Sequence, residues 1–298
     1  IMFDLKLGFS CNNNCVHCVV EDKRNILSKD LTFEEIKNIE KTKIRTLTPK
    51  PDGVVLTGGE PTIRKDFVSI VKYFSENGYE VHLQTNGTGL ADENIIKEIK
   101  PYMTQVLIAI HSMDENVHNN VVRDKKGIMF KKTYQTLLNL IKHQIPFETQ
   151  TVLSKYNIDT LYDTYKKIQE LKPKVWMHMT YPHPLGNAYS KDVALKYSAI
   201  KNEIQRCFKD FGPYLVTEAI PLCYIYPYEK TIGYNSDLEI ASQIYEIPRI
   251  GLDPSNKNNG NNKLIDKDGL SYNYNINDLT SKLKGKKCGE CDFNDICP

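Results

Sequence analysis

The stretch that decides the fold runs from residue 3 to residue 18: Phe3-Asp4-Leu5-Lys6-Leu7-Gly8-Phe9-Ser10-Cys11-Asn12-Asn13-Asn14-Cys15-Val16-His17-Cys18. Residues 3–8 read as a β-strand, and the loop just after it carries three cysteines at C-x3-C-x2-C spacing. A second junction of the same kind comes at Val54-Val55-Leu56-Thr57, a short β-branched run that ends in Gly58-Gly59-Glu60-Pro61. Working outward, further strand patterns fall at 81–84, 106–110, 147–153 and 175–180. Between them, 32–44, 67–77, 93–100, 130–142 and 161–171 carry apolar residues at steps of three and four, the helical period. Thr32-Phe33-Glu34-Glu35 fits a capping box, and Asn77-Gly78 fits a helix stop. Six strands alternating with five helices predict repeated β-α units on a parallel sheet. Right-handed crossovers then put every strand-to-helix loop, the cysteine loop included, at the carboxyl end of the sheet.

After Thr180 the alternation is predicted to break. Residues 193–211 look helical, the rest is rich in Tyr, Asn, Gly and Pro, and 254–263 reads as a solvated loop. The expected organisation is an α/β barrel-like unit over 1–190 and a smaller cysteine-containing unit over 191–298. With 298 residues, 40% of them hydrophobic and 26% charged, the chain can bury a sizeable core and falls outside the disordered and collagenous classes. A formal charge of +2 supplies no basic excess for a row of phosphates, so nucleic acid is not an expected partner. No run approaches the roughly 18 apolar residues of a membrane helix, and no signal peptide is visible, so a reducing cytoplasm is expected. There, eight cysteines read as metal ligands or catalytic groups rather than disulfides.

Cys11, Cys15 and Cys18 on one short loop can bind three irons of a cubane cluster and leave the fourth without a protein ligand. Structural zinc would want a closed set of four, and His17, immediately before Cys18, is poorly placed to join the same ion. Gly58 and Gly59 let backbone approach a ligand closely, and Glu60 beside them can accept from an ammonium group.

On these two motifs the chain resembles a radical S-adenosylmethionine (SAM) enzyme. The resemblance implies a partial (β/α)6 TIM-like barrel whose three cysteines hold a [4Fe-4S] cluster, with SAM chelated by the open iron. It implies that Gly58, Gly59 and Glu60 bind the SAM amino group. More loosely, Asn86 at the third strand end, Ser112 at the fourth, Arg123 in the following loop and Asn157 after the fifth match positions that contact SAM, and main chain at Leu185 matches an adenine contact. The activity implied is reductive cleavage of SAM to a 5′-deoxyadenosyl radical, with electrons from a reductant such as flavodoxin or ferredoxin.

Cys288, Cys291 and Cys297 form C-x2-C-x5-C, and Cys223 is available upstream. Four thiolates close a site for a second [4Fe-4S] cluster or for zinc, and spacing does not choose between them. The resemblance favours iron and sulfur, since the pattern is similar to the SPASM and shortened twitch domains found after such barrels. Enzymes of that kind imply an oxidoreductase or maturase acting on a peptide, through crosslinking, epimerisation or oxidation. A sugar or nucleotide substrate is the alternative within the class, and a zinc-stabilised binding scaffold the alternative outside it. Cys207, on a predicted helix, reads as a small buried apolar residue, and His178 and His183 as local hydrogen-bond partners.

Overall fold

The computed structural model describes residues 2–25, 30–183, 185–190, 193–228, 249–252, 270–273 and 290. Seven strands, β1 (Met2–Lys6), β2 (Gly53–Thr57), β3 (Glu80–Thr85), β4 (Gln105–Ala109), β5 (Phe147–Val152), β6 (Met177–Thr180) and β7 (Leu215–Glu218), lie side by side in chain order, every pair parallel. β8 (Arg249–Leu252) pairs parallel to the free side of β1, and β9 (Leu270–Asn273) pairs antiparallel to β8. The predicted α/β architecture is the one observed, with one more strand in the parallel β1–β7 run than the sequence patterns mark.

Alternate strand residues explain the layering. Phe3, Leu5, Val54, Leu56, Val81, Leu83, Val106 and Ile108 point to one face and are buried against the apolar stripes of the helices. Those stripes belong to α1 (Phe33–Ile39), α2 (Phe67–Glu76), α3 (Glu93–Ile99), α5 (Met129–His143), α6 (Leu161–Leu171) and α8 (Tyr197–Phe211). Thr32 caps α1 in the predicted capping box with Glu35. α2 ends at Asn77, with Gly78 at φ +82. α1 ends at Ile39, and its predicted last turns, 40–44, wind as a π-helix around the buried Glu40.

The β-α alternation continues past Thr180, where the sequence pattern predicts a break. α8 packs on α6 and feeds β7, which extends the sheet beside β6. β7 gives little local signal because it is four residues long and only Leu215 is fully buried. α4 (Glu115–Val121), sequence ENVHNNV, gives little because its buried residues are His118, Asn119 and Val121 rather than an aliphatic stripe. α7 (Gly186–Ser190) and α9 (Leu222–Ile225) are single-turn connections. Among the described residues no helix is long and apolar enough to cross a membrane.

Candidate active site

The loops after β1 and β2 meet backbone to backbone. Gly59 N donates to Gly8 O and Glu60 N to Ser10 O, both at 2.9 Å. A Cβ on Gly59 would stand 2.1 Å from Ser10 O, and one on Gly58, itself at φ +123, 2.3 Å from Gly8 O. Only glycine allows that approach. Asp30 Oδ1 accepts from Phe9 N and Ser10 N at 2.9 and 3.1 Å, while Arg64 donates to Leu7 O and Leu31 O. The entry to the cysteine loop is therefore held from three sides.

The loop itself is anchored at its back. Asn14 N and Val16 N donate to Val122 O and Val121 O, at 3.2 and 2.9 Å. Asn187 donates through its backbone to Cys18 O and through Nδ2 to Cys15 O, both at 2.9 Å. The three thiols face one another closely enough that each neighbour opposes ionisation of Cys15. Burial is the larger effect: it pushes the Cys11 thiol up to about 11 and Cys15 higher still. Bare thiolates of Cys11 and Cys15 are thus disfavoured here, and a metal centre that binds them must displace their protons. Among the described residues the three sulfurs do not gather within 4.8 Å of one another, as a single ion would need. Arg24 Nη2 donates to Cys18 Sγ at 3.4 Å and Asn86 Nδ2 reaches Cys11 Sγ at 3.9 Å, both donors of the sort that stabilise cluster sulfur.

Glu60, 3% exposed, lies one strand away. Its Oε1 accepts from Thr62 N, Thr62 Oγ1 and Thr85 Oγ1, and its Oε2 from Asn86 N at 2.6 Å. Burial pushes its carboxyl up against the pull of these donors. Asn86 also closes a ring of side chains with Thr88 and Asn12, and its Nδ2 borders Cys11 Sγ. The structure thus brings Cys11, Cys15, Cys18, Gly58, Gly59, Glu60 and Asn86 together.

Ser112 and Asn157 are placed differently. The Ser112 hydroxyl, fully buried, pairs with Thr160 Oγ1 at 2.9 Å and accepts from Asp114 N. Asn157 is 1% exposed and ties the ends of β4 and β5 together, donating to His111 O and Val152 O while accepting from Ser154. Both side chains are engaged in holding strand ends. Arg123 follows α4 at φ +56, and its guanidinium makes no hydrogen bond among the described residues. Leu185 is 59% exposed and precedes Gly186, where a Cβ would meet Cys18 O at 2.3 Å. That turn therefore packs on the cysteine loop. Cys223 is exposed on α9, whereas Cys288, Cys291 and Cys297 lie outside the described residues. Cys207 is fully buried in the core, as its helical setting suggests.

Three buried histidines, of which only His17 belongs to a sequence motif, stand behind the loop. His17 and His111 meet edge to face with ring centroids 4.4 Å apart, and His111 stacks on His118 at 5.8 Å. One nitrogen of His17, one of His111 and the Cys15 sulfur all lie within 4.8 Å of one another. Burial holds His17 and His118 down at about 4 and His111 well below its ordinary value, and for His17 and His111 a neighbouring imidazole adds to the effect. Arg24, Asn187 and this histidine group are illegible in the sequence, because each acquires its role from a neighbour elsewhere along the chain.

The sheet face turned away from the helices is polar. Hydrogen bonds link side chains across it: Thr57 to Gln84 (3.0 Å), Gln105 to Glu148 (2.6 Å), Glu148 to His178 (2.5 Å), Gln150 to Thr180 (3.1 Å) and Thr180 to Glu218 (3.2 Å). His178 and His183 pair locally with Glu148 and Glu218, as expected.

A parallel run of strands thus carries a trithiol loop and a diglycine turn at the ends of two adjacent strands. Residues 5–168, more than half of the chain, match the radical SAM superfamily, and the chain belongs to it. The fold of that family implies SAM and one [4Fe-4S] cluster. A relative named AdoMet-dependent heme synthase, from Methanosarcina barkeri, is 29% identical over 192 residues, covering 64% of this chain and 53% of its own. The chain spans about half the length of the curated relatives it matches. Among solved structures, SuiB of Streptococcus suis bound to S-adenosylmethionine superposes with a TM-score of 0.64 at 12% identity, over 99% of this chain and 71% of that one. Native anSMEcpe with bound AdoMet and Cp18Cys peptide gives 0.57 at 20% identity, over 71% and 59%. These two share the fold.

Proposed function

We propose that this chain cleaves SAM reductively to a 5′-deoxyadenosyl radical and uses it to abstract hydrogen from a peptide or protein. The observation that carries the reading is the backbone contact between the loop of Cys11, Cys15 and Cys18 and the Gly58-Gly59-Glu60 turn. The cluster, when bound, supplies the electron for SAM cleavage. Cys11, Cys15 and Cys18 are its ligands. Gly58, Gly59 and Glu60 receive the SAM amino group, Arg123 its carboxylate, and main chain at Leu185 the adenine. Asn86 lines the same edge, and Ser112 and Asn157 hold the ends of β4 and β5 in place.

The polar sheet face supports a peptide: alternating hydroxyl, carboxamide and carboxylate groups complement backbone amides, and fixed donors orient one C–H bond toward the radical. A small-molecule substrate is the second reading, favoured by the relative named heme synthase. Cys223, Cys288, Cys291 and Cys297 would hold an auxiliary [4Fe-4S] cluster in a SPASM- or twitch-like unit over 191–298, and a cytoplasmic flavodoxin or ferredoxin would deliver electrons. Protein reconstituted anaerobically should bind about eight irons, four per cluster, and release 5′-deoxyadenosine with dithionite and SAM. Zinc without iron would overturn the reading. Deuterium carried into 5′-deoxyadenosine from deuterated peptides supports the peptide assignment, and transfer only from deuterated small molecules replaces it with the second.

A further inference from the structure

We infer that His17 and His111 donate hydrogen bonds to the sulfur of Cys15 and thereby raise the reduction potential of the cluster that this sulfur helps to hold. The inference rests on the cluster reading of the cysteine loop. It begins from a tautomer that geometry assigns. Val152 N donates to His111 Nδ1 at 3.4 Å, so that nitrogen keeps its lone pair and the proton sits on Nε2. His111 N in turn donates to His118 Nδ1 at 3.3 Å, so His118 also carries its proton on Nε2. The Nε2–H of His111 is therefore available for an acceptor, and the Cys15 sulfur lies within 4.8 Å of the imidazole pair.

His17 adds a second observation. It is 9% exposed and its Nδ1 is buried without a hydrogen-bond partner among the described residues. Burying an imidazole unpaired costs free energy that a phenyl ring of similar shape would not incur. If the stack served packing alone, apolar rings would fill it at lower cost. Two imidazoles converging on one thiolate make sense when the sulfur accepts from them. A neutral N–H directed at a cluster ligand stabilises the more negative, reduced state without adding a net charge.

The test needs no substrate. The reduced cluster in protein labelled with 15N-histidine, and free of SAM, is measured by pulsed EPR. Nitrogen couplings from two imidazoles are expected, and their absence overturns the inference. Redox titration of His111→Phe and His17→Phe should show the reduced-to-oxidised ratio at fixed potential falling about tenfold, a downward shift of about 59 mV for a one-electron couple. His111→Gln, which keeps an N–H donor, should recover part of that shift. Unchanged potentials in both phenylalanine variants would overturn the proposal. Should a variant fail to load iron, the wild-type spectra decide. Failure of the wild type to bind iron would instead refute the cluster reading itself, so the two failures are distinguishable.

Discussion

Replacing Gly59 with alanine tests the junction on which the site is built. Its φ lies outside the left-handed region, so the effect is one of space alone. The added Cβ would sit 2.1 Å from Ser10 O and 2.6 Å from Phe9 C, both backbone atoms that no side-chain rotation can move. Restoring ordinary contact at about 3.4 Å requires the loops to part by roughly 1.3 Å. That separation breaks the 2.9 Å bonds from Gly59 N to Gly8 O and from Glu60 N to Ser10 O. Each is worth ~1 kcal/mol net, and each buried group left without a partner adds ~1–3 kcal/mol. Two broken bonds with one buried group, the Gly8 carbonyl, left unpaired give a weakening of ~3–5 kcal/mol at the junction, equivalent to a hundredfold or greater loss of SAM affinity at about 1.4 kcal/mol per decade. Gly78→Ala is the control: it lies at φ +82 with nothing within 4 Å of its Cβ, so only backbone strain of ~1–2 kcal/mol acts, far from the site. SAM binding to the reconstituted protein by isothermal titration calorimetry, with thermal melts of both variants, separates the two. Wild-type affinity in Gly59→Ala, or equal loss of affinity in Gly78→Ala, would refute the reasoning.

Asn187→Ala removes the donor to Cys15 O and should make the cluster loop release iron to a chelator several-fold faster, with the melting of the remaining fold little changed. Glu40 is fully buried and accepts from Arg45, Tyr73 and Tyr79. Glu40→Leu leaves the buried Tyr79 hydroxyl without an acceptor, a loss of ~1–3 kcal/mol measurable by urea unfolding. Burial acts to raise the Glu40 carboxyl, but these donors outweigh it and hold it below its ordinary value. Its contribution is thus complete above about pH 4.3 and is lost as pH falls through the lowered folded value, so Glu40→Leu should flatten the acid limb of stability against pH. Cys207, whose thiol burial pushes up strongly, should resist iodoacetamide in the native protein at pH 8 and react once the chain is unfolded in urea. Cys207→Ala should leave the iron count unchanged, and a drop would give that thiol a role in metal binding.

Much of the fold is legible because strands and helices with strong apolar periods announce themselves locally. The pattern over 161–171 matches α6 to the residue, and Thr32 with Glu35 forms the capping box their spacing suggests. Where burial rests on polar residues the period vanishes, which is why α4 and β7 leave so little trace. The site divides in the same way. Two short motifs specify the thiols and the glycine turn. Ser112 and Asn157 match by position, yet their side chains are engaged in bracing strand ends, a fact that depends on partners such as Thr160 and His111.

By itself the sequence determined the chemistry available: three thiols on one loop, a diglycine turn one β-α unit later, and a parallel sheet to carry both. Only the tertiary structure decided how those pieces act together, because side-chain roles are set by contacts between residues distant in the chain. Glu60 gained its donors from β3 and its end, Cys18 its cation from Arg24, and Cys15 its imidazole neighbours from the end of β4 and the loop itself. Burial at the strand ends then raised the cost of bare thiolates, so a cation that binds there must displace the protons of Cys11 and Cys15.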